Sequence, residues 1–240
     1  MRRIFPLFLL LIVSACVGVV PKTEGIRTIG IVSAIGDKFY LRKVGITVFG
    51  NDSKETPIDS WGIDDMMTAK IRTALTPRFD VRPVTYRRGV FAAFPDRTGF
   101  IAQYFRPELV RTEVSPQGLD AYIVVLKSER QYGQTNQLLQ GLGIVEGSGG
   151  VLFEPNVYLH AYFSIALVDG HDFARKGETF SVIPGQHQFG DLMGSPYRKV
   201  DTSWWPASPD PASNQRLKGA IVELIDQSLP AALQTMQLVQ

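Results

Sequence analysis

The chain is poor in residues that build covalent and metal-dependent sites. Its 240 residues include one cysteine, Cys16, and three histidines. One cysteine excludes an intrachain disulfide and a multi-cysteine metal site. Arg2 and Arg3 belong to an N-terminal signal that we expect to be removed, and without them the +2 formal charge falls to zero. We therefore predict no nucleic-acid partner, because that class of binding depends on excess positive charge.

Catalytic signatures are also scarce. The sequence has no G-x-S-x-G serine motif, no H-E-x-x-H pair and no P-loop. The glycines within 138–150 precede a strand-like segment, whereas phosphate loops need a helix directly after the glycines. We interpret 138–150 as a flexible connection, and we expect no enzymatic activity and no cofactor.

The first fifteen residues have the layout of a secretory signal. Arg2 and Arg3 precede an apolar run from Ile4 to Val13, which Pro6 interrupts. As a helix this run would span about 15 Å, half of a bilayer core of about 30 Å. A cleaved signal peptide at 1–15 is therefore favoured over a permanent transmembrane anchor.

The tetrad Val13-Ser14-Ala15-Cys16 resembles the lipobox of bacterial lipoproteins. The resemblance implies a diacylglycerol on the Cys16 sulfur, cleavage before this residue, and acylation of the new amino end, for example with palmitate. More than one lipid chain gives stable membrane attachment. The alternative is an ordinary signal peptide followed by a coincidental cysteine.

The residue after Cys16 indicates the membrane to which the protein is sorted. What is known of such lipoproteins implies that Val17, in place of aspartate, directs the chain to the outer membrane, with its body in the periplasm. We expect residues 16–26 to form a lipidated tether and residues 27–240 to form a single globular domain.

Hydrophobic periodicity predicts a mixture of strands and helices. Strands are expected at 27–35, 39–49, 79–84, 121–126, 157–167 and 173–183, and helices at 63–75 and 217–229. Gly36 and Asp37 predict a turn that makes the first two strands a hairpin, and Asp169 with Gly170 predicts another.

The predicted fold class is α+β or α/β. We expect one mixed sheet with antiparallel hairpins, flanked by two or three helices. Residues 157–167 predict one long half-buried strand, because apolar residues alternate throughout it. The last helix is expected to start at a Ser213 cap and to kink or restart at Pro230.

The order of these elements resembles a fold shared by three groups of periplasmic proteins. They are the curli secretion channel lipoproteins, the lipoprotein activators of penicillin-binding proteins, and the amino-terminal domain of the Tol propeller protein. The similarity covers roughly residues 27–183 and the last helix. The residues that carry it are Ile29-Gly30-Ile31-Val32, the helix ending at Leu75, Phe79-Asp80-Val81, Asp120-Ala121-Tyr122-Ile123-Val124 and Ile165-Ala166-Leu167-Val168-Asp169-Gly170.

One local cluster could hold a metal. Asp169, His171 and Asp172 lie close in sequence, and His187 could join them in a zinc or calcium site. The alternative is that Asp169 simply belongs to a turn, and we assign no metal site.

Two apolar features could bind a partner. Leu138, Leu139 and Leu142 make the predicted connection unusually hydrophobic. The long loop 184–212 contains the candidate contact residues Tyr197, Trp204 and Trp205. Adjacent tryptophans either anchor a partner or fix their own loop to the domain.

These patterns predict a noncatalytic, membrane-anchored envelope lipoprotein that acts as a binding or scaffolding module for another envelope component. The first alternative is a subunit of an export or channel assembly, based on the fold resemblance. The second is a metal-dependent hydrolase using the Asp169–His171 cluster. The sequence leaves the identity of the partner and the oligomeric state open.

Overall fold

The structure of the protein, a computed structural model, describes residues 23–92, 106–133, 135–148, 155–186, 195–205 and 210–239. The predicted signal peptide, Cys16 and the first part of the tether lie outside these residues. His187 and parts of the loop 184–212 also lie outside them. No helix in the described ranges is long and apolar enough to cross a membrane.

The described residues form twelve strands and four α-helices, which confirms the α+β class. The strands are β1 (Thr28–Ala34), β2 (Lys38–Val44), β3 (Asp52–Pro57), β4 (Asp80–Arg82), β5 (Ala121–Lys127), β6 (Glu129–Gln131), β7 (Leu138–Gln140), β8 (Leu142–Gly147), β9 (Asn156–Ala161), β10 (Phe163–Asp169), β11 (Arg175–Phe180) and β12 (Tyr197–Val200). The helices are α1 (Ile63–Leu75), α2 (Arg88–Ala92), α3 (Pro107–Val114) and α4 (Gln215–Thr235).

Ten of the strands form two five-stranded mixed sheets, whereas a single mixed sheet was predicted. The first sheet has the order β11-β10-β5-β1-β4, with β1 parallel to both of its neighbours. The second has the order β12-β9-β8-β2-β3, and β6 pairs with β7 in a separate small sheet. The inner faces of the two large sheets share one hydrophobic core with α1 and α4.

The predicted opening hairpin is wrong, because β1 and β2 lie in different sheets. The chain crosses between the sheets over residues 35–37 and packs closely against the start of α1. A Cβ atom on Gly36 would lie 2.8 Å from Cβ of Ile63. The backbone N–H groups of Ile35 and Gly36 donate to Asp64, at 2.8 and 3.2 Å. The side chain of Asp64 therefore fixes the crossing where a turn was expected.

The single long strand expected at 157–167 is wrong as well. β9 ends at Ala161 and β10 starts at Phe163, each in a different sheet. Between them the backbone N–H of Tyr162 donates to the Gly141 carbonyl at 2.8 Å, and its carbonyl accepts from Ser128 at 3.1 Å. The predicted hairpin at Asp169 is confirmed, since β10 pairs antiparallel with β11.

The helices follow their predicted apolar faces. Ile63, Met67 and Ile71 of α1 are buried in the core. The cap of α4 is Asn214, whose side chain accepts from the Leu217 N–H at 3.1 Å, where Ser213 was predicted. The helix continues through Pro230 to Thr235.

Helix α4 runs from the Trp204 turn to the region around Thr23. With 21 residues it is about 31 Å long. Its first turn lies beside Trp204, because the Arg216 guanidinium stacks 3.8 Å above that ring. Beyond its last turn, the Gln237 carbonyl accepts from Arg78 at 2.5 Å, and Arg78 also donates to Thr23 at 2.6 Å. We call the region around Thr23 the near end.

Candidate interaction surface

The hairpin of β2 and β3 ends in a short loop. The two strands pair antiparallel from Lys38↔Pro57 to Lys43↔Asp52. Lys43 aligns with Glu146 in β8 and, through Val157 in β9, with Val200, the last residue of β12. Residues 45–51, which we call the hairpin tip, therefore leave the second sheet at the end where β12 finishes.

The hairpin tip carries two exposed apolar side chains. Phe49 is 96% exposed and Ile46 is 64% exposed. Within the described ranges, they are the large hydrophobic side chains that are exposed to solvent. Most single exposed apolar residues need no explanation, but two on one short loop form a local patch that suits a partner.

Backbone contacts brace the tip. The Gly45 N–H donates to the side chain of Asn51 at 2.9 Å, and the Gly50 N–H donates to the Thr47 carbonyl at 3.0 Å. A Cβ on Gly45 would lie 2.7 Å from the Gly50 Cα, so the two backbone segments touch. This closed loop holds Phe49 away from the body of the domain.

Strand β3 is polar and forms one edge of its sheet. Five of its six residues are exposed, and its sequence is DSKETP. Lys38 of β2 pairs with Glu55 of β3 at 2.6 Å on this surface. Charged edge strands disfavour pairing with another chain. The tip, and not the strand edge, is therefore the part of the hairpin suited to contact.

The leucines predicted to bind a partner lie in sheets. The flexible connection expected at 138–150 is wrong over its described part, which forms β7 and β8. Leu142 is fully buried in the main core, and Leu139 is buried in a smaller cluster with Tyr132. Leu138 is half-buried. Leu139 and Leu142 are therefore unavailable at the surface.

The predicted aromatic contacts mostly hold their own loop in place. Tyr197 lies in β12 and packs edge-on to Tyr158, with ring centroids 5.8 Å apart. Trp204 and Trp205 are half-buried and pack against the main core. The described part of 184–212 is thus more regular than expected, and its tryptophans fix it to the domain.

The predicted metal cluster is organised as a turn. The Asp169 carboxylate accepts from the N–H groups of His171 and Asp172 at 2.8 and 3.3 Å, and it pairs with Lys176 at 3.0 Å. Burial has the largest single effect on the pKa of Asp169 and raises it. The hydrogen bonds and Lys176 together outweigh burial, so the pKa lies below its usual value. Within the described ranges, no three His, Cys, Asp or Glu residues lie close enough to share a metal ion. His187 lies outside those ranges.

His160 is the most buried titratable side chain near the hairpin. Its Nδ1 lies 3.2 Å from the Gly141 carbonyl, and its ring stacks on Tyr162 with centroids 4.6 Å apart. Burial lowers its pKa to about 3, so the ring is neutral. It borders a cavity of about 20 Å³, which is room for one water molecule. This geometry suits a packed core histidine.

The hairpin tip is not apparent from the hydrophobic pattern of the sequence. Residues 39–49 contain many β-forming side chains, and their pattern predicted a strand through Phe49. The available signal was the spacing of Gly45, Gly50 and Asn51, residue types that favour a turn.

Comparisons with known proteins find weak structural similarities and no sequence match. The sequence matches no protein-family model and no curated protein. Lipoprotein GNA1162 from Neisseria meningitidis is 15% identical, over 85% of this chain and 99% of that chain, with a TM-score of 0.26. Protein XCC0632 from Xanthomonas campestris, of family DUF330, is 10% identical over 90% and 94%, with a TM-score of 0.28. Hypothetical protein CT253 from Chlamydia trachomatis is 12% identical over 85% and 99%, with a TM-score of 0.26. At these TM-scores the similarities carry no inference about function.

Proposed function

We propose that the protein is a noncatalytic envelope lipoprotein, anchored through Cys16, whose hairpin tip binds another envelope protein. The observation that supports this function most is the 96% exposure of Phe49 on a braced loop. The partner is expected to offer an apolar pocket, because the tip presents Ile46 and Phe49 and the adjacent Lys43 is already paired with Glu146.

The energetics of the tip suit a binding contact. Burying a phenylalanine or isoleucine side chain contributes about 1.5–3 kcal/mol. Aromatic side chains that fill a pocket often dominate interface affinity. Because the tip is already closed by its own hydrogen bonds, binding would cost little further loop ordering.

The tether and the tip belong to different parts of the fold. The tether joins the body at Thr23, before β1 of the first sheet, whereas the tip follows β2 in the second sheet. A lipid on Cys16 would therefore attach the domain through a part of the fold other than the tip.

Site-specific photocrosslinking tests the contact. We would replace Phe49 by p-benzoylphenylalanine in the full chain, in its native host, with the same substitution at exposed Lys54 of β3 as the control. We expect an adduct with one envelope protein from position 49 and at least tenfold less of it from position 54. Equal labelling from both positions would contradict the proposal.

A variant series tests the same contact without crosslinking. Phe49→Ser with Ile46→Ser is expected to weaken recovery of that partner about tenfold or more. The double variant Trp204→Ala/Trp205→Ala should bind the partner as wild type does, once binding is corrected for the fraction of the variant that is folded. If the tryptophan variant loses the partner and the tip variant keeps it, the contact belongs to the loop 184–212.

The anchor has an independent test. Cys16→Ser should abolish incorporation of labelled fatty acid and release the protein from the membrane fraction. An unmodified, uncleaved amino end in the mass spectrum of the wild-type protein would overturn the lipoprotein assignment.

A further inference from the structure

An apolar groove runs between α1 and α4 on the surface of the domain. Its volume is about 500 Å³, within the range of small-molecule sites, which is about 300–1,000 Å³. Its apolar lining includes Ala74 of α1, Leu229 and Leu233 of α4, and Val239. The walls are thus mostly aliphatic, and the polar residues are few.

The groove lies at the near end, beside the point where the tether meets the body. Val239 is two residues from Gln237, whose carbonyl accepts from Arg78. Arg78 is four residues beyond Ala74, after the end of α1, and also donates to Thr23 at 2.6 Å. Cys16 can lie at most about 25 Å from Thr23 when the intervening chain is fully extended. A lipid on Cys16 would therefore keep the groove close to the bilayer surface.

We propose that this groove binds an acyl chain of a membrane phospholipid. The inference rests on the proposed attachment at Cys16 for its placement of the groove beside lipid. The aliphatic walls match an alkyl chain, and a bound chain would remove the apolar surface of the groove from water. The bilayer supplies such chains at high local concentration within the reach of the tether.

The polar residues of the groove suit the other part of a phospholipid. Lys70 and Asp226 form an ion pair at 2.7 Å, with side chains 36% and 45% exposed. Gln234 is also exposed. These groups lie at the solvent-facing side of the groove, so a headgroup can remain hydrated while the acyl chain is buried.

Photolabelling from the lipid tests the proposal. The full lipidated protein would be reconstituted in vesicles of phosphatidylethanolamine and phosphatidylglycerol that contain a phosphatidylglycerol with a diazirine in one acyl chain. We expect covalent label on the groove-lining parts of α1 and α4. Ala74→Arg, which fills the groove from a half-buried position, should reduce this label at least fivefold.

Thr73→Arg is the matched control, since the neighbouring residue is exposed and does not line the groove. It should retain the wild-type label. Val239→Arg is a second groove variant, and thermal unfolding would confirm that all three variants are folded. Label absent from the groove, or reduced equally by both α1 substitutions, would overturn the proposal and favour occupation by the tether, by the protein's own lipid or by a second copy.

The intact mass of the same preparation separates two failures. A lipidated Cys16 without label in the groove would overturn lipid binding and leave the anchor in place. An unmodified Cys16 would overturn the anchor and, with it, the placement of the groove beside a bilayer.

Discussion

The Lys127 ammonium lies 2.8 and 2.9 Å from the two carboxylate oxygens of Asp37, and this ion pair links the two large sheets. Lys127 ends β5 in the first sheet, and Asp37 lies in the crossing that leads to β2 in the second. The side chain of Lys127 is 4% exposed and that of Asp37 is 24% exposed. A buried ammonium requires such a partner, so the pair specifies where the chain changes sheet.

Removing this ammonium is expected to destabilise the fold. In Lys127→Met, the half-buried Asp37 carboxylate would lose its ion-pair partner, and breaking a buried pair costs about 3–5 kcal/mol. Partial exposure of Asp37 favours the lower figure. Urea unfolding at neutral pH measures the loss. Lys38→Met removes an exposed pair as the control and should cost at most about 1 kcal/mol; an equal loss would refute the special role of the buried pair.

Asp64 is expected to stabilise the crossing through hydrogen bonds. Its carboxylate accepts from the Ser33 hydroxyl at 2.7 Å and from the N–H groups of Ile35 and Gly36. Asp64→Ala would leave these buried donors without an acceptor, at a cost of about 2–3 kcal/mol in unfolding free energy. The adjacent Asp65 is exposed and pairs with Arg88. Asp65→Ala should therefore change stability by less than about 1 kcal/mol.

The sequence predicted the elements whose local pattern differs from their surroundings. The helical spacing of Ile63, Met67 and Ile71 identifies α1, and the continuous apolar run of β5 identifies a buried central strand. The turn residues Asp169 and Gly170 identify the β10–β11 hairpin. In each case the information lies within a few neighbouring residues, so one sequence is sufficient.

The change of sheet at Tyr162 could not be predicted in this way. Leu159 and Ala161 of β9 face the same core as Phe163 and Ile165 of β10. The alternation of apolar residues therefore continues through the break. What divides the strands is hydrogen bonding to distant residues, and periodicity contains no information about those partners.

The exposed hairpin tip could not be predicted from the sequence, for a related reason. Phe49 belongs to a run of β-forming residues, and composition does not report whether an aromatic ring is buried or exposed. Its exposure follows from the loop closure by Gly45 and Asn51. Conversely, the glycine-rich sequence around Leu142 suggested an exposed loop that could contact a partner. Leu142 is fully buried, because this segment forms strand β8.

Gly143 is expected to tolerate no side chain. A Cβ at this position would lie 2.5 Å from the Tyr40 carbonyl oxygen and 2.7 Å from Nε2 of His160. Gly143→Ala should therefore destabilise the protein by about 1–3 kcal/mol, as overpacking of a close-packed core does. The matched substitution is Gly219→Ala in α4, where no atom lies within 4 Å of the added Cβ. This helical glycine should gain roughly 0.5–1 kcal/mol in stability, and thermal or urea unfolding distinguishes the opposite signs.

His160 is expected to make stability depend on pH below neutrality. Burial lowers its pKa to about 3 in the folded protein, whereas the unfolded chain has a value near 6.5. Between these values the unfolded state binds a proton that the folded state does not, so stability falls as the pH falls. From pH 6.5 to pH 4 this group lowers the free energy of unfolding by roughly 3 kcal/mol.

The variant His160→Gln tests this pH dependence, because it removes the titrating ring. The difference in unfolding free energy between wild type and this variant should shrink by about the same amount from pH 6.5 to pH 4, as measured by urea unfolding at several pH values. His171→Gln, at an exposed histidine, is the control for the substitution itself. A deficit for His160→Gln that stays constant from pH 6.5 to pH 4 would show that the ring is protonated, or accessible to water, in the native state.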